Sequence, residues 1–380
     1  MSSVDAARRK KERKKRRSTR EAGSAGANGR AEAGGKKKKS ALREWLDALV
    51  FAIVVMLIVR TLFFDLFRIP TPSMEKNLLV GDYLFVSKLH YGTRMPMGIC
   101  VPFTDVCVPG VHFPYTRLPG FSEVTRGDAI VFNWPVEEKR VDRRMHYIKR
   151  VVGMPGDTLT VQNKVVHIDG AALPLEVGQQ QFWYVYLKDQ KLRLPTPRLR
   201  ELGVSKLTRT ADPRIYRIQA TPAAADSMAQ WRIIDRVTPA VAPADGGYSG
   251  LMYPPGQGYT PDDYGPVVVP EAGRTVTLTA ENWPYLEPVI RRYEARAPRR
   301  LPDGRFVIDG APATTYTFQQ DYFFVMGDNR DDSEDSRFWG FVPMDHVVGK
   351  AVLIYFSWDA EGSPFLLGQI RYSRLFKGIG

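Results

Sequence analysis

Ser73 stands between a proline and a methionine in the run IPTPSMEKNLLVGDYLFVSK. A serine hydroxyl is a weak nucleophile and needs a neighbouring base to take its proton as it attacks a carbonyl. The chain has five histidines, His90, His112, His146, His167 and His346. None lies in a recognisable Ser/His/Asp context such as a G-x-S-x-G elbow, although a triad assembled in space leaves no mark in one sequence. Lysine is the other base available, and Lys149 is set inside an apolar strand, HYIKRVVGMPGD. From an ordinary pKa near 10.4, neutralising a lysine costs roughly 4.6 kcal/mol at pH 7. Burial among Ile148, Val151 and Val152 would lower that cost by disfavouring the ammonium form. The strand pattern leaves two orientations open, inward as a neutral base or outward as a solvated side chain.

Two competing chemistries are weaker. Ser73-Met74-Glu75-Lys76 matches the S-x-x-K signature of penicillin-binding proteins and β-lactamases, but the companion tripeptides S-x-N and K-T-G are missing. The run MGDNRDDSEDSRFWG at 326–340 crowds five carboxylates and two arginines into a Gly/Asn/Ser turn. It lacks the glycine and glutamate spacing of an EF-hand loop. Such density more often makes paired charges and side-chain bonds to turn backbone, which stiffen a loop beside a site. No metal site and no cofactor are expected, since no other stretch offers metal-ligand spacing.

These residues need elements to position them. The 380 residues are 44% apolar and 25% charged, a globular composition with core enough for one or two domains. The formal net charge of +13 is uneven, because residues 1–40 hold 15 Lys/Arg against 4 Asp/Glu. That basic tail (1–40) has almost no large apolar residues and is expected to be disordered. A nucleic-acid arm is the minor alternative, and no nucleic-acid partner is expected. The tail is followed by WLDALVFAIVVMLIVRTLFFDLF, Trp45 to Phe67, the one stretch near the length a bilayer requires. Asp47, Arg60 and Asp65 weaken it, and a buried soluble or interfacial helix is the alternative. The Lys/Arg cluster before it is a positive-inside signal, and no small-x-small cleavage site follows. The expectation is an uncleaved signal anchor (41–67), with the N-terminus in the cytoplasm and everything past about residue 68 on the outer face of the cytoplasmic membrane.

Beyond the anchor, DYLFVSK, GDAIVFNW, HYIKRVVG and DTLTVQNKVVHIDG alternate with turn residues, the spacing of a mostly β fold. From about 171 to 273, Pro, Ala, Gly and Asp rise, so this stretch reads as an insertion of long loops with a few short strands. GRTVTLT reads as a strand, and AENWPYLEPVIRRYEAR as a helix beginning after Pro284 with Leu286, Val289 and Ile290 on one face. Strands return in RFVIDG, YTFQQDYFFVMGDN and VVGKAVLIYFSW. Cys100 and Cys107 lie in MGICVPFTDVCVPG, which the outward topology puts in an oxidising compartment. A disulfide closing this short loop is expected, with two unpaired loop cysteines as the alternative.

Four motifs in order, PTPSMEKNLLVGD at 70–82, RGDAIVF at 126–132, YIKRVVGMPGD at 147–157 and GDNRDDSEDSRFWG at 327–340, resemble those of bacterial type I signal peptidase. That family comprises membrane-anchored Ser/Lys endopeptidases that remove secretory signal peptides. The motifs cover about 45 residues. The resemblance implies a signal-peptidase-like β catalytic domain in two parts, 68–170 and 316–380, around a non-catalytic insertion at 171–315. It implies Ser73 as nucleophile and Lys149 as general base, with Thr71 and the Ser73 N–H as the oxyanion hole. Ser333 matches the residue that hydrogen-bonds the lysine ammonium, Asp335 and Arg337 a supporting ion pair, and Asp328 a partner for Arg150. Phe67, Ile69, Met74, Leu78, Val131, Tyr147 and Ile148 match positions lining apolar pockets for small residues at −1 and −3 of the cleavage site. One departure is visible: the family usually has Pro-Thr where this chain has Lys76-Asn77.

The function implied is cleavage of secretory preproteins after an Ala-x-Ala type signal, at a lipid bilayer and beside a secretion translocase. Two rivals are a signal-anchored binding or scaffold protein with an inactive β domain, and a soluble self-cleaving Ser/Lys repressor-type protease. The anchor and the lack of a DNA-binding helix pair argue against the latter, and the set Ser73, Lys149 and Ser333 argues against the former.

Overall fold

The structure is a computed structural model that describes residues 41–98, 108–244, 246–248, 250–360 and 366–379. The basic tail and both cysteines, Cys100 and Cys107, lie outside the described residues.

Ala41–Leu62 is a 22-residue helix. Its segment Leu42–Leu62 has an 18-residue window of mean hydropathy 2.2 and is the one helix among the described residues long and apolar enough to cross a membrane. Its apolar side chains face outward, Phe51 being 70% exposed. The helix stops five residues short of the expected 67. Phe64–Arg68 is instead an edge strand paired antiparallel with Asp82–Ser87. Charge explains the change: Asp65 accepts from Arg60 at 2.9 Å and from Lys88 at 3.3 Å, tying the chain just past the helix to the neighbouring strand.

The main scaffold is an eight-stranded antiparallel sheet. Its spatial order is Phe64–Arg68, Asp82–Ser87, Val347–Ser357, Ala129–Asn133, His146–Gly153, Tyr322–Met326 and Val342–Pro343, with Lys377–Gly378 pairing alongside Val347–Ser357. The order interleaves the two ends of the sequence, so the strand carrying Lys149 lies between strands 129–133 and 322–326. A second sheet, ordered Tyr264–Val268, Thr158–Gln162, Val165–Ile168 and Ala171–Leu173, shares a core with it through Val152, Leu159, Val161, Phe324 and Phe341. The helix Trp283–Tyr293 buries Leu286, Val289 and Ile290 in the same core, the face its spacing predicts.

The segment 171–273 departs from the loop-rich expectation. It contains a four-stranded sheet, Ile234–Pro239, Gln181–Leu187, Ile215–Ala220 and Lys206–Arg209, backed by helices Thr196–Glu201 and Pro222–Ala229. Val185, Leu187, Leu199, Tyr216, Ile218, Met228 and Ile234 form a core of their own. Burying such side chains contributes roughly 2 kcal/mol apiece, which offsets the ordering of a segment whose Pro and Ala content obscured its periodicity.

Candidate active site

The turn carrying Ser73 follows from two prolines. A residue before proline is driven into extended conformation, and Thr71 obeys with φ −127° and ψ 155°. Pro72, with its fixed φ, then opens a single 3-10 turn, Pro72–Met74, that buries Ser73 and Met74. Thr71 Oγ1 lies 3.5 Å from Ser73 Oγ.

Lys149 reaches that turn from the strand His146–Gly153. Its Nζ is 2.7 Å from Ser73 Oγ and 3.2 Å from the Ile148 carbonyl. The side chain is 3% exposed, so of the two orientations open from sequence the inward one is observed. Arg150, on the opposite face of the strand, is equally buried. Period-two alternation therefore does not separate inside from outside here, because both faces are covered. Burial lowers the Lys149 pKa to about 8, against the raising pull of Asp335, Glu334 and Asp328.

The acidic run at 326–340 closes over the back of the site as paired charges. Arg337 donates to Asp335 at 2.8 and 2.9 Å, with both side chains buried. Burial alone would raise the Asp335 carboxyl, but Arg337 and the Gly327 N–H hold it below the usual carboxylate range. Arg150 donates bidentately to Asp328 at 2.7 and 2.8 Å. Its guanidinium stays above its ordinary pKa, since that carboxylate outweighs the effect of burial.

Ser333 does not make the expected contact. Its hydroxyl is buried without a hydrogen-bond partner, rather than bonded to Lys149. It packs against Gly327, where a Cβ would come within 2.3 Å of Ser333 Oγ and 2.5 Å of the Ser73 carbonyl. Glycine is thus required at 327 by close approach, a role that sequence reading did not single out. Asn329 was missed as well: its N–H donates to the Ser73 carbonyl at 3.0 Å and its side-chain amide to the Pro72 carbonyl at 3.1 Å.

In front of Ser73 and Lys149 lies a cavity of about 270 Å³. Of the seven expected pocket residues, Phe67, Ile69, Met74, Val131, Tyr147 and Ile148 line it, with Thr71, Ser73 and Lys149 at its polar end. Leu78 does not. It is buried beneath, packed in the cluster of Leu84, Val86 and Ala129, because the turn after Met74 folds it under the sheet rather than toward the opening. Arg68, Pro70, Leu84, Met145 and His146 complete the wall, and nothing in their local pattern pointed to it.

Comparison with known proteins bears on this arrangement. The family described as "Signal peptidase, peptidase S26" matches residues 42–225 and 274–358, well over half of the chain. The chain belongs to this family. The unmatched stretch between the two blocks, 226–273, is shorter than the segment 171–315 read as an insertion, of which 171–225 and 274–315 are matched. Among similar proteins, signal peptidase I of Haemophilus influenzae is 26% identical over 90% of this chain and 76% of its own length. The signal peptidase I of Buchnera aphidicola subsp. Acyrthosiphon pisum is 24% identical over 89% of this chain and 82% of its own. That of Aquifex aeolicus is 25% identical over 83% and 85%. For this S26 peptidase, Ser73, Lys149 and the apolar cavity are one contiguous site.

Proposed function

We propose that this signal peptidase removes N-terminal signal peptides from secreted preproteins after small residues, with Ser73 as nucleophile and Lys149 as general base. The observation that carries the assignment of the dyad is the 2.7 Å approach of a buried lysine to a serine at the end of an apolar cavity. At pH 7 a lysine with a pKa of about 8 is neutral in roughly one molecule in ten, against roughly one in three thousand at the ordinary value.

In the reaction, neutral Lys149 takes the Ser73 proton as Oγ attacks the carbonyl after the small −1 residue. The Ser73 N–H and the Thr71 hydroxyl face the oxyanion that develops. Collapse expels the mature protein's amine, which receives the proton held by Lys149, and leaves an acyl-enzyme. Water then attacks the ester while Lys149 takes its proton, and Ser73 is regenerated. The apolar wall of Phe67, Ile69, Val131, Tyr147 and Ile148 suits short side chains, and the Phe64–Arg68 edge offers unpaired backbone to an extended substrate.

The helix Leu42–Leu62 anchors the protein in the membrane. The 15 basic residues before it support a cytoplasmic N-terminus and a catalytic domain on the outer face of the cytoplasmic membrane. There the substrate is anchored in the same bilayer and delivered by the secretion translocase. Ser73→Ala and Lys149→Ala are each expected to abolish cleavage of a peptide whose signal ends in Ala-x-Ala while the circular dichroism stays native. Retained cleavage in both would overturn the dyad, and wild-type inactivity in detergent and in lipid alike would favour a signal-anchored binding protein.

A further inference from the structure

Lys76, three residues past the nucleophile, holds φ at 82°. A residue with a Cβ adopts this left-handed conformation at a cost of roughly 1–2 kcal/mol, so the surroundings must hold it there. The segment 177–219 supplies the hold. The Lys76 ammonium donates to the Gly203 carbonyl, 127 residues away in sequence. The Asn77 amide donates to Asp328 Oδ2 at 2.8 Å and reaches the Val177 carbonyl at 3.5 Å. Gly178, with φ at 86°, passes so near that a Cβ there would lie 2.1 Å from Asn77 Oδ1. Glu75 Oε2 accepts from Gln180 at 3.4 Å. Three successive residues after Ser73–Met74 are thus met by this segment.

The same segment grips the other side of the site. The Gln180 N–H donates to the Asp328 carbonyl and the Arg330 N–H to the Gln180 carbonyl, each at 2.9 Å. The Gln219 amide donates to Asn329 Oδ1, and Asn329 in turn holds the Ser73 and Pro72 carbonyls. A lone 3-10 turn has little stability of its own. The placement of Ser73 therefore depends on these flanking contacts.

We propose that the segment 177–219 sets the reactivity of the dyad by clasping the turn that carries Ser73, with Lys76 and Asn77 as its positioning residues. The inference rests on Ser73 and Lys149 being the dyad. Opening the clasp lets Ser73 Oγ move away from Lys149 and lets water reach the amine. The first slows attack, and the second returns the lysine toward its ordinary pKa, so less of it is neutral at pH 7.

The test uses the full-length protein in detergent micelles with a peptide whose signal ends in Ala-x-Ala, following kcat and KM from pH 6 to 11 together with Tm. Lys76→Met keeps the aliphatic stem and removes the donor. It is expected to lower kcat about tenfold with KM nearly unchanged, and to move the rising limb of the pH profile upward. Asn77→Ala is expected to act in the same direction. Lys76→Arg, which keeps a donor, should restore most of the rate. Lys76→Gly accepts the positive φ without strain, so it folds even where Lys76→Met does not, and it should still be slow. Wild-type kcat and pH limb in Lys76→Met, Lys76→Gly and Asn77→Ala would overturn the clasp, as would losses that follow Tm with the limb unmoved. Ser73→Ala run alongside separates the two readings. Activity there would overturn the dyad itself, whereas an inactive Ser73→Ala beside a normal Lys76→Met overturns only the clasp.

Discussion

Lys149 is disfavoured in its charged form by the site that contains it, and this has a consequence for stability as well as for rate. Its pKa in the fold is about 8, below the ordinary 10.5, so between those values the unfolded chain binds more protons than the folded one. Stability from this group therefore rises with pH across that window and is at its lowest below pH 8. Lys149→Met is expected to raise the free energy of unfolding measured by urea titration at pH 6, by up to roughly 3 kcal/mol, with the gain vanishing near pH 10.5. An equal effect at both pH values would refute the burial account. The pair Asp335 and Arg337 has the opposite logic. With both groups buried and hydrogen-bonded, Arg337→Met leaves an uncompensated carboxylate, which costs about 3–5 kcal/mol. The same urea titration should register this loss, and Asp335→Asn in the Arg337→Met background should recover part of it by removing the stranded charge.

At the scale of elements, three pieces meet at the dyad without sharing regular structure: the Pro72–Met74 turn, the strand His146–Gly153 and the loop 327–335. At Gly327 the loop passes close to the turn, its position for a Cβ being 2.5 Å from the Ser73 carbonyl. Gly327→Ala is expected to force these elements apart, costing about 1–3 kcal/mol in stability by overpacking. The accompanying loss in kcat is about 100-fold, because small displacements of a reacting group are expensive. Thermal unfolding and steady-state kinetics on one preparation test both. A variant with wild-type kcat would mean that the loop yields without disturbing Ser73.

For the whole molecule, the division of labour lies between an exposed apolar helix and a β scaffold that packs its own cores. Arginine at Val54 and Ile58, both inside Leu42–Leu62, costs about 2.5–3.5 kcal/mol per residue near a helix centre in the bilayer. The double variant Val54→Arg, Ile58→Arg is expected to leave the membrane pellet for the supernatant on carbonate extraction while still cleaving a soluble peptide. Persistence in the pellet would mean that the β portion binds the membrane strongly enough by itself.

Read alone, the chain determined what local chemistry can encode. Pro70, Thr71 and Pro72 set the backbone around Ser73, alternation marked the strands, and the 3.6-residue period identified the buried face of Trp283–Tyr293. Residue type made Ser73 and Lys149 the pair to watch, since few side chains offer a nucleophile and a tunable base. Only the tertiary structure decided the rest. It turned Lys149 inward, because burial on both faces of a strand depends on a loop some 180 residues away. It placed Leu78 in the core, left the Ser333 hydroxyl without a partner, and built a packed four-stranded sheet where composition suggested loops. It also joined Lys76 to Gly203 across 127 residues. Each of these is a contact between distant segments, whose energy depends on how the sheets stack and not on any neighbouring residue.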